Sequence, residues 1–266
     1  MDNLSALIYG IIQGLTEFLP VSSSGHLALL PYWLNIKDPG IVFDLAMHVG
    51  TAFSIAYYFR KKIKGYSIDL CTCLKAKKVE REQSVAFNMV IVTMATFIFA
   101  LAFKPMTEQY GRDPMLIGIN LIIFGIFMWF ADRFGKTKEK VSEQMKWPVL
   151  LGYGLFQSLA LFPGVSRSGI TLTYSRLIGM SREEATSFSF LLALPLICAG
   201  FILKLPTLAD PALDFDLKAF ALGLVTSFVV GLATIHFFLK WVKKVGLGIF
   251  ALYRVVLALV IFSMLG

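Results

Sequence analysis

Long apolar runs alternate with short charged ones along this chain. Six runs approach or reach the ~20 residues a helix needs to cross a bilayer: 41–59, 85–103, 114–134, 185–203, 218–238 and 247–265. None alternates apolar and polar residues as barrel strands do. Two further runs, 4–19 and 147–162, stop early, the first at Pro20 and a Ser/Gly cluster, the second at Pro163-Gly164. Each resumes as a shorter run, 27–34 and 170–179. Interrupted pairs of this kind are read as re-entrant helical hairpins, since non-helical backbone at membrane depth survives only when buried in protein or lining a wet cavity.

The two interruptions are related. QGLTEFLPVSSSG (Gln13–Gly25) aligns without gaps on QSLALFPGVSRSG (Gln157–Gly169), with 7 of 13 positions identical at an offset of 144. The same offset carries the start of the first span, 41, onto that of the fourth, 185. The pattern predicts one membrane domain over 1–266, made of two copies of a hairpin plus three spans. Repeat one covers 1–134 with its hairpin at 4–34, and repeat two covers 147–266 with its hairpin at 147–179. Three spans per copy is an odd number, so the copies are inverted, and inverted repeats with broken helices place a site where the hairpin tips meet. The expected fold is an all-α integral membrane protein with six transmembrane helices, two re-entrant hairpins and two inverted-topology repeats.

Composition agrees. Charged residues are 16% of the 266, and mean hydropathy is +0.72, against about 25% charged in soluble domains. The net charge of +8 does not point to nucleic acid, because the cations gather in short loops, the positive-inside pattern. Loop 60–84 carries Arg60, Lys61, Lys62, Lys64, Lys75, Lys77, Lys78 and Arg81 against Asp69, Glu80 and Glu82. Loops 135–146 and 239–246 carry Lys136, Lys138, Lys140, Lys146, Lys240, Lys243 and Lys244. All three are read as cytoplasmic. Loops 104–113 and 204–217, with Glu108, Asp113, Asp210, Asp214 and Asp216, are read as external. Both termini and the first hairpin then fall on the external side. Met-Asp-Asn at the start shows no basic n-region or cleavage signal, so the first apolar run is expected in the mature protein. Cys71 and Cys73 in a basic loop and Cys198 in a span are read as reduced bystanders, a lone C-x-C being a weak metal signal.

The copies differ where chemistry would lie. Copy one has Glu17, Ser23 and His26; copy two has Leu161 at the Glu17 position and Arg167 at the Ser23 position. Gln13 and Glu17 share a helix face, and an ionisable group at membrane depth is a functional candidate by default. Ser22, Ser23, Ser24 and Gly25 form a helix N-cap cluster, as do Ser166, Arg167, Ser168 and Gly169. Helix starts offer free N–H groups and partial positive charge to phosphate, and Arg167 adds a bidentate fork. Ser23 or Ser24 is a candidate nucleophile with Glu17 or His26 as its base, His26 is a candidate nucleophile itself, and Glu17 is alternatively a metal ligand. The bland readings are Glu17 as a structural partner of Arg167, the serines as caps alone, and His26 as a packed ring. Asp44 and His48, one turn apart in the first span, are candidate support for the site or a buried pair. Arg254 is read as snorkelling or paired, and His236 as structural.

These residues carry a resemblance. QGLTEFLPVSSSGHL and FPGVSRSGITLTYSRLIGMSREEATSFSFLLALP resemble the undecaprenyl-diphosphate phosphatase family, the bacitracin-resistance phosphatases, over essentially the whole chain. The family's [EQ]-x-x-x-E motif falls on Gln13 to Glu17, its serine-rich SGH segment on Ser22 to His26, and its P-G-x-S-R-S-G motif on Pro163 to Gly169. The resemblance implies hydrolysis of undecaprenyl diphosphate to the monophosphate and inorganic phosphate, recycling the carrier for peptidoglycan and other envelope polymers. It further implies an inner-membrane enzyme, stimulated by Mg²⁺ or Ca²⁺, with a site open to the external side and Glu17, Ser23, His26 and Arg167 at its core. A homodimer is left open. Many members have Glu at Gln13, which weakens a two-carboxylate metal site here, and many have Thr at Ser24, which keeps a hydroxyl. The competing reading is a polyprenyl-phosphate lipid transporter or flippase, since paired hairpins in inverted repeats are transporter architecture. A membrane acid phosphatase of the other large class is excluded, because the next His after Arg167 is His236.

Overall fold

The computed structural model describes residues 2–36, 38–75, 84–110, 113–138, 140–208 and 216–265. Lys77, Lys78, Glu80, Arg81, Glu82, Asp210 and Asp214, used above to orient the loops, lie outside the described residues. The described residues form helices α1 (Asn3–Thr16), α2 (Ser23–Leu34), α3 (Ile41–Tyr58), α4 (Arg60–Lys75), α5 (Val85–Tyr110), α6 (Pro114–Phe134), α7 (Trp147–Ser158), α8 (Arg167–Ile178), α9 (Arg182–Leu208), α10 (Leu217–Val245) and α11 (Gly248–Leu265), with short 3₁₀ turns flanking α7. Five are long and apolar enough to cross a membrane: Val85–Thr107, Pro114–Phe134, Arg182–Lys204, Leu217–Val245 and Gly248–Leu265. The chain is a multi-pass membrane protein. The remaining expected span, α3, is a continuous helix of 18 residues that is not among those five.

Solvation by lipid shows in the surface. Exposed apolar residues recur at helical spacing, as Val90, Met94, Ile98 and Leu101 on α5 and Ile119, Ile123, Ile126 and Phe130 on α6, the mark of a helix apolar all round. The interior is partly polar and close-packed. α1, α3 and α10 pack on one another, α5 on α7, α6 on α11 and α8, and α9 on α3 and α8. Small residues permit the first of these contacts, the usual device where lipid offers no hydrophobic driving force. A Cβ on Gly50 would lie 2.0 Å from Ser227 Oγ and 2.4 Å from the Leu224 carbonyl oxygen. Gly50→Ala is therefore expected to force α3 from α10 and cost about 1–3 kcal/mol, read as a lower thermal midpoint in detergent. An unchanged midpoint would mean that the two helices are free to separate.

One expected loop is a helix. Residues 60–75 continue α3 after a break at Phe59. Ile63 and Tyr66, three apart, pack on the main core, while Arg60, Lys61, Lys62 and Lys64 are exposed. The cations hid a narrow apolar stripe. The thiols of Cys71 and Cys198 are free and exposed.

Polar side chains tie the ends together. Asp132 accepts from Arg176 Nε at 3.0 Å, Arg182 Nε at 2.8 Å and the Leu247 amide at 2.9 Å, which joins α6, α8, α9 and the start of α11. Arg254 is fully buried and does not snorkel. Its guanidinium donates to the carbonyls of Leu121 at 3.1 Å, Gly164 at 2.9 Å and Val165 at 3.0 Å. Asn120 Nδ2 donates to the Pro163 carbonyl at 2.7 Å. Three consecutive carbonyls of the 163–165 break are thus satisfied by side chains, which is what non-helical backbone in lipid demands.

Candidate active site

Two breaks in helical structure build the site. α1 ends at Thr16, and the chain turns through Pro20 and Val21 into α2. α7 ends at Ser158, and the chain turns through Pro163 and Gly164 into α8. Ser22 and Ser166, related by the repeat, are the N-cap residues of α2 and α8, and their hydroxyls accept from the Gly25 amide at 3.4 Å and the Gly169 amide at 3.1 Å. Both hold positive φ, 74° and 70°, a conformation a side chain enters at about 1–3 kcal/mol. The cap hydroxyl explains why Ser stands there and not Gly. The result is that the first helical residue of the second copy, Arg167, reaches across to the first tip, while Ser23 of the first copy turns back to Glu17 of its own tip.

The tips meet at Glu17. Arg167 Nη2 donates to Glu17 Oε1 at 2.6 Å, and Arg167 Nη1 donates to the Ser189 carbonyl on α9 at 3.1 Å. Gln13 Nε2 donates to Glu17 Oε2 at 3.0 Å, and Ser23 Oγ donates to the same oxygen at 2.8 Å. His48 Nε2 lies 3.6 Å from it. Ser168 Oγ of the second tip donates to the Leu19 carbonyl of the first at 3.0 Å, which locks the tips edge to edge. Glu17 is 6% exposed and Arg167 15%, and both border the open space between the tips.

That space is a cavity of about 380 Å³, the size of a small-molecule site. Glu17, Ser23, Ser24, Asp44 and His48 line one wall, and Ser166, Arg167 and Ser168 another. Leu45, Leu196 and Ile197 add an apolar side, and Lys204 stands at the end of the wall that α9 provides. His48 is oriented by its Nδ1, 2.8 Å from the Asp44 carbonyl. Gly25 and Gly169 are buried behind the tips.

His26 is not brought to this cavity. Its Nδ1 is 2.8 Å from the Ser22 carbonyl and its Nε2 is 2.7 Å from the Tyr253 hydroxyl, with the two rings stacked at 5.7 Å. It is 2% exposed. The ring ties the first tip to α11, so it positions Ser22 and does not face the wall that Ser23 lines.

A scan of family models matches residues 6–260 to Bacitracin resistance protein BacA. The chain belongs to this family. Among similar curated proteins, one from Marinobacter nauticus, named Undecaprenyl-diphosphatase, is 39% identical over 100% of both chains. A protein from Stutzerimonas stutzeri, Undecaprenyl-diphosphatase 2, is 37% identical over 99% of each. Undecaprenyl-diphosphatase of Magnetococcus marinus is 37% identical over 100% of both.

The donor set at Glu17 does not fit a resident divalent cation. Hard cations take oxygen ligands, six or more of them including water. Here Oε1 faces a guanidinium, Oε2 already accepts from two donors, and Gln13 turns its NH₂ to Glu17. Among the described residues no group of three or more His, Cys, Asp and Glu side chains is placed to hold a metal.

Sequence reasoning missed three residues that border the site or brace its tips. Ser189 acts through its backbone carbonyl, which no side-chain pattern signals. Tyr253 is one aromatic among many in a span. Lys204 was legible, as a single cation at the outer end of an apolar run.

Proposed function

We propose that the chain hydrolyses undecaprenyl diphosphate to undecaprenyl phosphate and inorganic phosphate. The observation that carries this reading is the chain of contacts from Ser23 through Glu17 to Arg167, in which a hydroxyl donates to a buried carboxylate that a guanidinium from the other tip neutralises. The names of the three relatives support the substrate.

The geometry supports a definite division of labour. A diphosphate entering the cavity meets the remaining N–H groups of Arg167, and a guanidinium fork suits phosphate oxygens. As Arg167 turns to phosphate, Glu17 loses its counter-charge and becomes a stronger base. Ser23 Oγ then attacks the terminal phosphorus while Glu17 takes its proton. The bond from that phosphorus to the bridging oxygen breaks, and undecaprenyl phosphate leaves with the bond's electron pair. Glu17 passes that proton to the departing phosphate oxygen and then deprotonates a water that attacks the phosphoseryl phosphorus; the bond to Ser23 Oγ breaks, inorganic phosphate leaves, and the proton now on Glu17 returns to Ser23 Oγ. Phosphoryl transfer of this kind asks mainly for positioning and charge neutralisation. Ser24 is exposed and touches Ser22 Oγ at 3.4 Å, and His26 is engaged elsewhere, so Ser23 has the better claim to the attack.

The finer topology belongs to the same reading: six spans, counting α3, and two re-entrant hairpins, α1–α2 and α7–α8, in inverted repeats. The matched φ values and caps of Ser22 and Ser166 support it, as does the exchange of partners, α1 on α10 and α7 on α5. The cationic start of α4 and end of α10 lie away from the Glu17 cavity, which supports an external site in the plasma membrane. The apolar wall at Leu196 and Ile197 suits the prenyl tail.

The test is phosphate release from undecaprenyl diphosphate by the purified chain in detergent. Release supports the reading. A folded chain that releases none, yet moves polyprenyl phosphate across vesicles, would replace it with the transporter reading. Ser23→Ala is expected to reduce release by about 10³-fold or more at an unchanged thermal midpoint; near-normal turnover would transfer the attack to water.

A further inference from the structure

A second cavity, of about 630 Å³, lies at the opposite end of the helices that frame the first. On α3, Asp44 and His48 line the Glu17 cavity, whereas Tyr58 and Phe59 line this one. On α9 the corresponding residues are Gly200 and Lys204 against Glu183 and Ser187. Ten residues of helix separate His48 from Tyr58, or roughly 15 Å.

Its walls are strongly cationic. Arg60, Lys61 and Lys62 come from the first turn of α4, and Lys240 and Lys243 from the last turns of α10. The one carboxylate among the described lining residues, Glu183, is held by Lys243. Arg60 lies over the Tyr57 ring at 4.7 Å, and Lys62 over the Phe59 ring at 5.6 Å. Neither Lys61 nor Lys240 has a carboxylate partner among the described residues. His236, 3.4 Å from the Tyr58 hydroxyl, and Ser187 add hydrogen-bonding groups. Around this cavity Tyr57, Phe237 and Trp241 stand exposed. Exposed Trp and Tyr beside cations mark the headgroup level of a bilayer. The cavity therefore opens where lipid phosphates lie.

We propose that this cavity binds the phosphate of an anionic lipid headgroup, at a site distinct from the Glu17–Arg167 centre. A positive-inside loop would present its cations to bulk water and the general surface potential. Here five cations from two helices line a concavity that also offers a hydroxyl and an imidazole, and juxtamembrane cations of this kind attract anionic lipid individually.

The experiment uses the full chain in detergent and reads retained lipid by native mass spectrometry as phosphatidylglycerol or phosphatidylcholine is titrated. Wild type is expected to retain phosphatidylglycerol at least about tenfold more tightly than phosphatidylcholine. The double variant Lys61→Gln/Lys240→Gln should lose that preference by about tenfold, with phosphate release from undecaprenyl diphosphate within about twofold of wild type. Lys136→Gln/Lys146→Gln removes the same charge from a loop outside the cavity and should keep the preference. Equal loss in both double variants, or no loss in the first, would overturn the site. Displacement of the lipid by millimolar inorganic phosphate would assign the cavity to a soluble phosphate and overturn the lipid assignment.

Discussion

Glu17→Gln is expected to lower the turnover of undecaprenyl diphosphate by about 10² to 10⁴-fold, the range a positioned general base contributes. The substitution keeps the side chain's shape and leaves an oxygen for Ser23, but removes the proton acceptor. Its effect on KM should be small or favourable, because Arg167, released from the carboxylate at 2.6 Å, is then free for phosphate. A fall in kcat with KM unchanged or lower would separate the base from a residue that merely holds Arg167. If KM rose and kcat held, Glu17 would be a structural partner and Ser23 would need another base. Steady-state kinetics in detergent, with the thermal midpoint as the folding control, decides between them.

Arg167→Ala should act on both parameters. Losing the donors that stabilise transferring phosphoryl oxygens costs about 10² to 10³-fold, and the ground-state diphosphate loses its clamp as well, so kcat/KM should fall by at least about 10³-fold. Arg167→Lys should recover only a small part. An ammonium places one point charge where the fork both reaches Glu17 and donates to the Ser189 carbonyl, and the two cations are not interchangeable at such a site. Full recovery by Lys would show that charge alone is needed, and the two-pronged geometry would carry no weight.

Much of the fold could be read in the chain, for a simple reason. Burying peptide groups in hydrocarbon permits only closed hydrogen bonding, so a long apolar run is a helix and its length is set by the bilayer. α6 falls on the expected 114–134. Other helices run further than their apolar cores. α5 continues to Tyr110 past an expected end at 103, and α10 to Val245 past 238, because backbone bonding persists beyond the hydrocarbon. α4 escaped notice because a helix lying among cations needs only a stripe such as Ile63 and Tyr66. The candidate site was legible where the repeat broke its own symmetry: Glu17 opposite Leu161, and Arg167 opposite Ser23. His26 lies away from the cavity although it adjoins the serine row in sequence, because its two bonds are to Ser22 and to a residue 227 positions away. Arg254 likewise carried charge that pointed to an ion pair, whereas its partners are backbone carbonyls no pattern displays.

The most direct measurement of the central claim is a rapid acid quench with undecaprenyl diphosphate labelled in its terminal phosphate. The attack of Ser23 on phosphorus, assisted by Glu17, predicts label on the peptide containing Ser23 within a single turnover, increased when the ester is slow to hydrolyse and absent from Ser23→Ala. Release of labelled phosphate with no label on the protein at any quench time, and continued by Ser23→Ala, would contradict it.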